Sequence, residues 1–204
     1  MRLKLKFLTI MAAIGFMAFL PNANAAPVIG EAAPDFTAVD TNGVKHTLSD
    51  FLGKTVVLEW SNHECPFVVK HYDSGNMQKL QKEATANDVV WLTIVSSADG
   101  KQGNVSPEEA NKIVEEADAH PTAKILDPTG AIGKLYDAKT TPHMFVINKG
   151  GQLVYAGAID SDSSPKQESI EGATNYVTEA LNNLNNHEEV KISSTKPYGC
   201  GVKY

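Results

Sequence analysis

The strongest constraint on the fold is a junction. The apolar run Thr55-Val56-Val57-Leu58 passes through Glu59-Trp60 into the polar turn Ser61-Asn62-His63-Glu64, and Cys65-Pro66-Phe67-Val68 then opens a helix-like segment. Apolar residues on both faces of residues 55 to 60, interrupted only by Glu59, describe an inner strand of a sheet covered by helices. Pro66 suits a first helical turn, so Cys65 stands at a helix start. The unpaired amides and partial positive charge there favour thiolate over thiol. A buried structural cysteine is the other reading that position alone leaves open.

The rest of the chain alternates in the same way. Asn42-Gly43 between short extended pieces signals a hairpin, and Thr47 to Leu52 resembles a helical turn capped by Thr47 with Asp50 three residues on. After Pro66, residues Phe67, Val68, Tyr72, Met77 and Leu80 share a helical face that Asp73-Ser74-Gly75 breaks. Strands follow at Val89 to Val95, Ala123 to Leu126, Met144 to Ile147 and Leu153 to Ala156. Helices are expected from Ser106-Pro107 to about Ala119, after Asp127-Pro128 through Ile132, Leu135 and Tyr136, and from Ser164-Pro165 to Leu184. Residues from His187 onward show no period. No repeat interrupts the pattern, which describes one α/β domain around a mixed sheet.

The first six residues carry three basic side chains, Arg2, Lys4 and Lys6, an apolar run extends from Phe7 to Leu20, and Ala23-Asn24-Ala25 closes it. This is a secretory signal pattern over residues 1–25, leaving a domain at 26–186 and a tail at 187–204. The mature protein is expected to be exported, periplasmic or secreted, and no longer attached to a membrane. The chain carries 18 Lys and Arg against 24 Asp and Glu. Losing Arg2, Lys4 and Lys6 with the leader takes the net charge to about −9, which points away from nucleic acid. Two cysteines, Cys65 and Cys200, remain in an oxidising compartment, where a pair forms a disulfide or exchanges one. They lack the local spacing of a structural zinc site, and neither metal nor cofactor is expected.

Several pieces together carry a family likeness: Ala33-Pro34-Asp35-Phe36, Gly53-Lys54, Trp60 to Pro66, Thr141-Pro142-His143-Met144-Phe145-Val146-Ile147 and the ending Lys196 to Tyr204. The chain resembles the thioredoxin-like redoxins, within them the alkyl hydroperoxide reductase and thiol-specific antioxidant group, especially its peroxiredoxin-like members. The resemblance implies an α/β thioredoxin-like fold, a mixed central sheet flanked by helices, with an N-terminal hairpin extension and a C-terminal tail. It implies that the Thr141–Pro142 bond is cis and lies against the reactive cysteine. A bend there leaves a free backbone edge where an extended thiol substrate can pair.

Two departures from the family pattern limit the chemistry. Thioredoxins carry a second cysteine three residues after the first, where this chain has Val68. Peroxiredoxins place a proline seven and a threonine or serine three residues before the cysteine, where this chain has Leu58 and Asn62. The arginine that polarises peroxide is missing too, since Arg2 is the only arginine; Lys70 or Lys139 is the substitute to consider. The expected catalytic groups are therefore Cys65 as nucleophile, Cys200 as the distant resolving thiol, and Glu59, where the resemblance implies a buried acid that relays protons. Thr141, Pro142, His143, Trp60, Pro66 and His63 are expected to bind substrate or tune the thiol. Partners would be a thiol or disulfide protein, or a peroxide, with a reductant the sequence does not name. A binding module stapled by a fixed Cys65–Cys200 disulfide is the alternative, its closed loop contributing roughly 5 kcal/mol in the chain-entropy model. A third reading is copper handling through Cys65, His143 and His63.

Overall fold

A computed structural model describes residues 26–204; the leader expected at 1–25 lies outside the described residues. The hairpin forms where Asn42-Gly43 signals it, with β1 (Thr37–Val39) antiparallel to β2 (Lys45–Thr47). Asp40 holds the turn by accepting from the amides of Asn42 at 2.8 Å and Val44 at 2.9 Å. A 3₁₀ turn over Leu48–Phe51 follows, but Thr47 does not cap it with its side chain. Asp35 takes that role, accepting from the Ser49 amide at 3.0 Å, while the Thr47 hydroxyl turns to Thr37 at 3.2 Å.

The central sheet is built from β3 (Val56–Trp60), β4 (Val90–Val95), β5 (Ala123–Leu126), β7 (His143–Ile147) and β8 (Leu153–Gly157) in the order β5-β4-β3-β7-β8. The first three are parallel; β7 runs antiparallel to β3 and to β8. Every residue of β3 is buried, as an inner strand requires. Alternate residues serve two cores. Leu58, Trp60, Ile94 and Phe145 face one side, where Trp60, Phe145 and Tyr136 meet at centroid distances of 5.1 to 5.5 Å. Val57, Trp91, Met144 and Val146 face the other.

The helix after Cys65 splits where glycine breaks it: α1 (Pro66–Asp73) ends, Gly75 adopts φ 75°, and α2 (Asn76–Ala86) continues. α3 (Pro107–Glu116) has Ser106 as its cap, the hydroxyl accepting from the Glu109 amide at 3.2 Å. It stops short of Ala119, because Asp118 turns to φ 48° and the Ala117 carbonyl is taken by Gln78 at 2.7 Å. α4 (Ala131–Leu135) is a single turn. Asp127 reaches inside it and accepts from the Gly133 amide at 2.9 Å and the Ser96 hydroxyl at 2.7 Å.

The last helix departs most from expectation. α5 (Tyr176–Asn185) starts well after Ser164-Pro165, capped by the Asn175 side chain, which accepts from Thr178 at 3.0 Å. The carbonyls of Asp162 and Ser164, which a helix starting there would commit to its own first turns, are each bound at 2.8 Å by the buried ammonium of Lys70. Gly172 at φ 86° then separates a 3₁₀ turn at Gln167–Ile170 from α5. The tail beyond α5 is extended. It contributes β9 (Cys200–Gly201), which pairs antiparallel with β6 (Thr140–Thr141).

Candidate active site

The turn between β3 and α1 is tied down before it reaches the thiol. Asn62 accepts from the Glu64 amide at 3.0 Å through its side chain and from the Cys65 amide at 3.0 Å through its carbonyl. Glu64 accepts from the Gly103 amide at 2.7 Å. A Cβ on Gly103 would come within 2.6 Å of the Asn62 side chain, so only glycine lets the two loops close. Asn62 thus shapes the turn, a role the sequence reading missed because it rests on a loop forty residues away. Cys65 occupies the N-cap of α1 with extended backbone and Pro66 next to it. The amides of Val68 and Val69 both reach its carbonyl at 2.8 Å.

The sulfur of Cys65 is completely buried. It donates to the Thr141 carbonyl at 3.0 Å, and the Cys200 sulfur lies 2.6 Å from it. The Thr141–Pro142 bond is cis. The backbone edge beside it, where the sequence places an incoming partner, is occupied by the chain's own tail: Thr141 pairs with Cys200 and Thr140 with Gly201. Gly199, at φ 136°, passes so close to Thr141 that a Cβ would strike its carbonyl oxygen.

Side chains fasten the tail on either side of Cys200. Upstream, the Tyr198 hydroxyl donates to Asp160 and lies 3.3 Å from His71 Nε2; the Lys70 ammonium stands 5.1 Å from the Tyr198 ring centroid. Thr195 accepts from the Ala158 amide at 2.9 Å. Downstream, the Lys203 carbonyl accepts from the Ala98 amide at 2.8 Å, and the Tyr204 hydroxyl donates to the Ala138 carbonyl at 2.9 Å. The Tyr204 ring fills the space left by Gly130 and Gly133.

The two thiols differ in acidity. Burial opposes ionisation of Cys65, but the Cys200 thiol, Thr141 and the amides of Cys200 and Val68 outweigh it and hold the Cys65 thiol below its ordinary value. Burial, together with the neighbouring Cys65, pushes Cys200 up to about 11. The thiol at the helix start is the more acidic of the pair, as its position requires.

The other expected residues lie elsewhere. Trp60 anchors the aromatic core, its indole donating to Ser96 at 3.0 Å. His143 sits opposite Trp60 in the sheet, accepts from the Lys139 amide at 3.2 Å and packs its ring, tilted by 47°, against Phe145 with the centroids 4.4 Å apart. Burial lowers its pKa to about 4, so it is neutral at physiological pH. Glu59 points to the opposite face and accepts from Tyr72 and Trp91 at 2.8 Å, Thr93 at 2.9 Å and Gln81 at 3.1 Å. None of these bonds is to a cysteine. His63 lines a cavity beside α1. Lys70 is spent on the 162–164 carbonyls and Lys139 pairs with Asp137, so neither ammonium is free to polarise a peroxide. Among the described residues no group of three or more His, Cys, Asp and Glu side chains could hold a metal ion, and Cys65, His143 and His63 are not gathered into one.

A family model described as Redoxin matches residues 29–173. The chain belongs to the redoxin family. The match includes Cys65 and Pro142; Cys200 lies beyond it. A hypothetical protein from Sinorhizobium meliloti 1021 shares the fold with a TM-score of 0.74 at 21% identity, over 88% of this chain and 96% of that one. An uncharacterized conserved protein from Geobacillus kaustophilus aligns with a TM-score of 0.71 at 26% identity, over 87% and 92%. The thioredoxin domain of a thiol-disulfide oxidoreductase from Bacteroides vulgatus aligns with a TM-score of 0.51 at 19% identity, over 72% and 97%. No curated protein matches the chain. This redoxin therefore has a thioredoxin-like fold, with its second thiol supplied by the tail instead of by α1.

Proposed function

We propose that this redoxin is an exported thiol-disulfide oxidoreductase in which Cys65 is the attacking thiol and Cys200 the resolving one. The observation that carries the reading is the 2.6 Å approach of the two sulfurs, with the more acidic thiol at the helix start. In the reduced protein the Cys65 thiolate attacks one sulfur of a partner disulfide, forming a mixed disulfide and releasing one partner thiolate. Cys200, after losing its proton, attacks the Cys65 sulfur. The second partner thiolate leaves, and the Cys65–Cys200 disulfide remains. Two electrons have passed to the partner, and an external dithiol returns them by the reverse exchange. The leader pattern at residues 1–25 supports export, with 26–186 as the redox domain and 187–204 as the tail that completes it.

Peroxide reduction is the lesser branch of the same reading, because Leu58, Asn62 and the engaged lysines leave the peroxide without the family's usual polarising groups. A non-catalytic staple is favoured by a different observation: the tail is fastened on both sides of Cys200. Graded redox titration of the intact protein, read by mass spectrometry with Cys65→Ser and Cys200→Ser controls, decides between them. The expected result is a bond reduced in the folded state, with Cys200→Ser trapping a mixed disulfide on Cys65. A bond that resists reduction until the protein unfolds would establish the staple. Peroxide consumption no faster than that of free cysteine would remove the peroxidase branch.

A further inference from the structure

Beside α1 lies a chamber that the thiol chemistry does not use. It has a volume of about 320 Å³ and runs between α1, α3 and the sheet face that carries Glu59. Thr93 on β4 and Lys124 on β5 form its floor, and the same row of the sheet continues outside the chamber through Glu59 on β3 and Met144 on β7. Glu59 is already saturated by four donors. Lys124 stands two strands away and makes no ion pair with it, although it feels the field of its charge.

Lys124 is only 8% exposed, yet its ammonium makes no hydrogen bond or ion pair with any described residue and faces the chamber. An ammonium has three protons to donate, and here they are left to the solvent or to a guest in the chamber. Burial indeed lowers its pKa, and the field of Glu59 only partly opposes that. The chamber's walls suit a small amphiphile. Val68, Val69, Ile113 and Val114 are apolar, while Ser61 and His63 lie toward the reactive turn. Asp73 and Glu116 are exposed members of the lining, and their negative charge disfavours a multiply charged guest.

We propose that this chamber binds a small monocarboxylate, its head on the Lys124 ammonium and its hydrocarbon body against the valines of α1 and Ile113 of α3. The site is separate from the thiol pair and stands or falls independently of the redox reading. Its occupant would rest on the same first turn of α1 whose amides bond to the Cys65 carbonyl.

Amide chemical shifts of the ¹⁵N-labelled protein, followed during titration with hexanoate, hexan-1-ol, hexylamine and inorganic phosphate, test the proposal. Hexanoate is expected to give saturable shifts at Val68, Val69, Ile113 and Lys124, with hexanol at least about tenfold weaker because it lacks the charge-assisted bond. Lys124→Met should lose hexanoate by a similar factor while keeping a dispersed spectrum. Ala117→Trp, which fills the chamber and leaves Lys124 in place, should abolish hexanoate and hexanol together; it decides the matter if Lys124→Met does not fold. Absence of saturable shifts up to about 20 mM hexanoate would overturn the proposal. So would equal binding of hexanol, hexylamine or phosphate, or undiminished binding by either variant.

Discussion

The turn that carries Cys65 closes off a fully buried central strand, whereas the stretch that carries Cys200 crosses the surface and meets the domain through a few side chains and short backbone pairings. The first sulfur is positioned by the fold itself. Its strand lies between two cores, and its turn is stitched to the loop at Gly103. The second is positioned by fastenings, chiefly Tyr198 on Asp160 and Tyr204 in the hollow over Gly130 and Gly133. One half of the thiol pair should therefore fail only when the domain fails, while the other can be loosened by itself.

The sharpest way to break the first half is Glu59→Leu. It leaves the donors on Tyr72, Gln81, Trp91 and Thr93 facing hydrocarbon, for an expected loss of about 4 kcal/mol or more in urea unfolding. Acid acts on the same half with a somewhat smaller effect. His143 is buried neutral with its pKa lowered to about 4, and His71 is lowered by burial and Lys70 to about 3. The unfolded chain binds these protons first, so stability is full above about pH 6.5 and falls as pH drops toward 4, by roughly 3 kcal/mol for His143 alone. Urea unfolding of the protein and of His143→Gln across that range checks the sign; the variant should show the flatter profile.

How far this division could be read in advance follows from where the signals lie. The strand, the helix start and the break at Gly75 are written in neighbouring residues, so β3, α1 and α2 were legible from periodicity and one glycine. The start of α5 was not. Ser164-Pro165 is a sound local helix signal, but Lys70, nearly a hundred residues away, takes the carbonyls at that point. The tail has no period because its structure comes from single long-range contacts, and nothing near Tyr198 in the sequence points to Asp160. At the site, the two cysteines and the Thr141–Pro142 element were legible and come together. Glu59 was legible as a buried acid and His143 as a neighbour of Pro142 expected to tune the thiol, but alternation along their strands sends them to opposite faces, and neither forms a hydrogen bond with a cysteine.

Smaller changes probe the fastened half. Gly199→Ala puts a Cβ into the Thr141 carbonyl at a backbone angle of φ 136°. It should lift the tail and raise the rate of Cys65 alkylation in the reduced protein by more than about tenfold, because opening that costs about 1.4 kcal/mol less is tenfold more populated. Tyr198→Phe removes the hydroxyl that donates to Asp160 and lies 3.3 Å from His71 Nε2, and a net loss of about 0.5–1 kcal/mol should raise the same rate by only a few-fold and lower global stability by a similar amount. Gly201→Ala is the control. A Cβ there meets nothing within 4 Å, and stability should stay within about 0.5 kcal/mol of the parent. Equal responses to Gly199→Ala and Gly201→Ala would end the distinction between turn and tail.

The sequence separation of the two sulfurs has a mechanical consequence. They are 135 residues apart along the chain, so when joined they withhold that whole segment from extension under load. Pulled from its ends, the oxidised protein should yield a fully stretched length shorter by roughly 450 Å than the reduced one, at the usual reach of about 3.4 Å per residue. Oxidation state would then be legible, molecule by molecule, as a length.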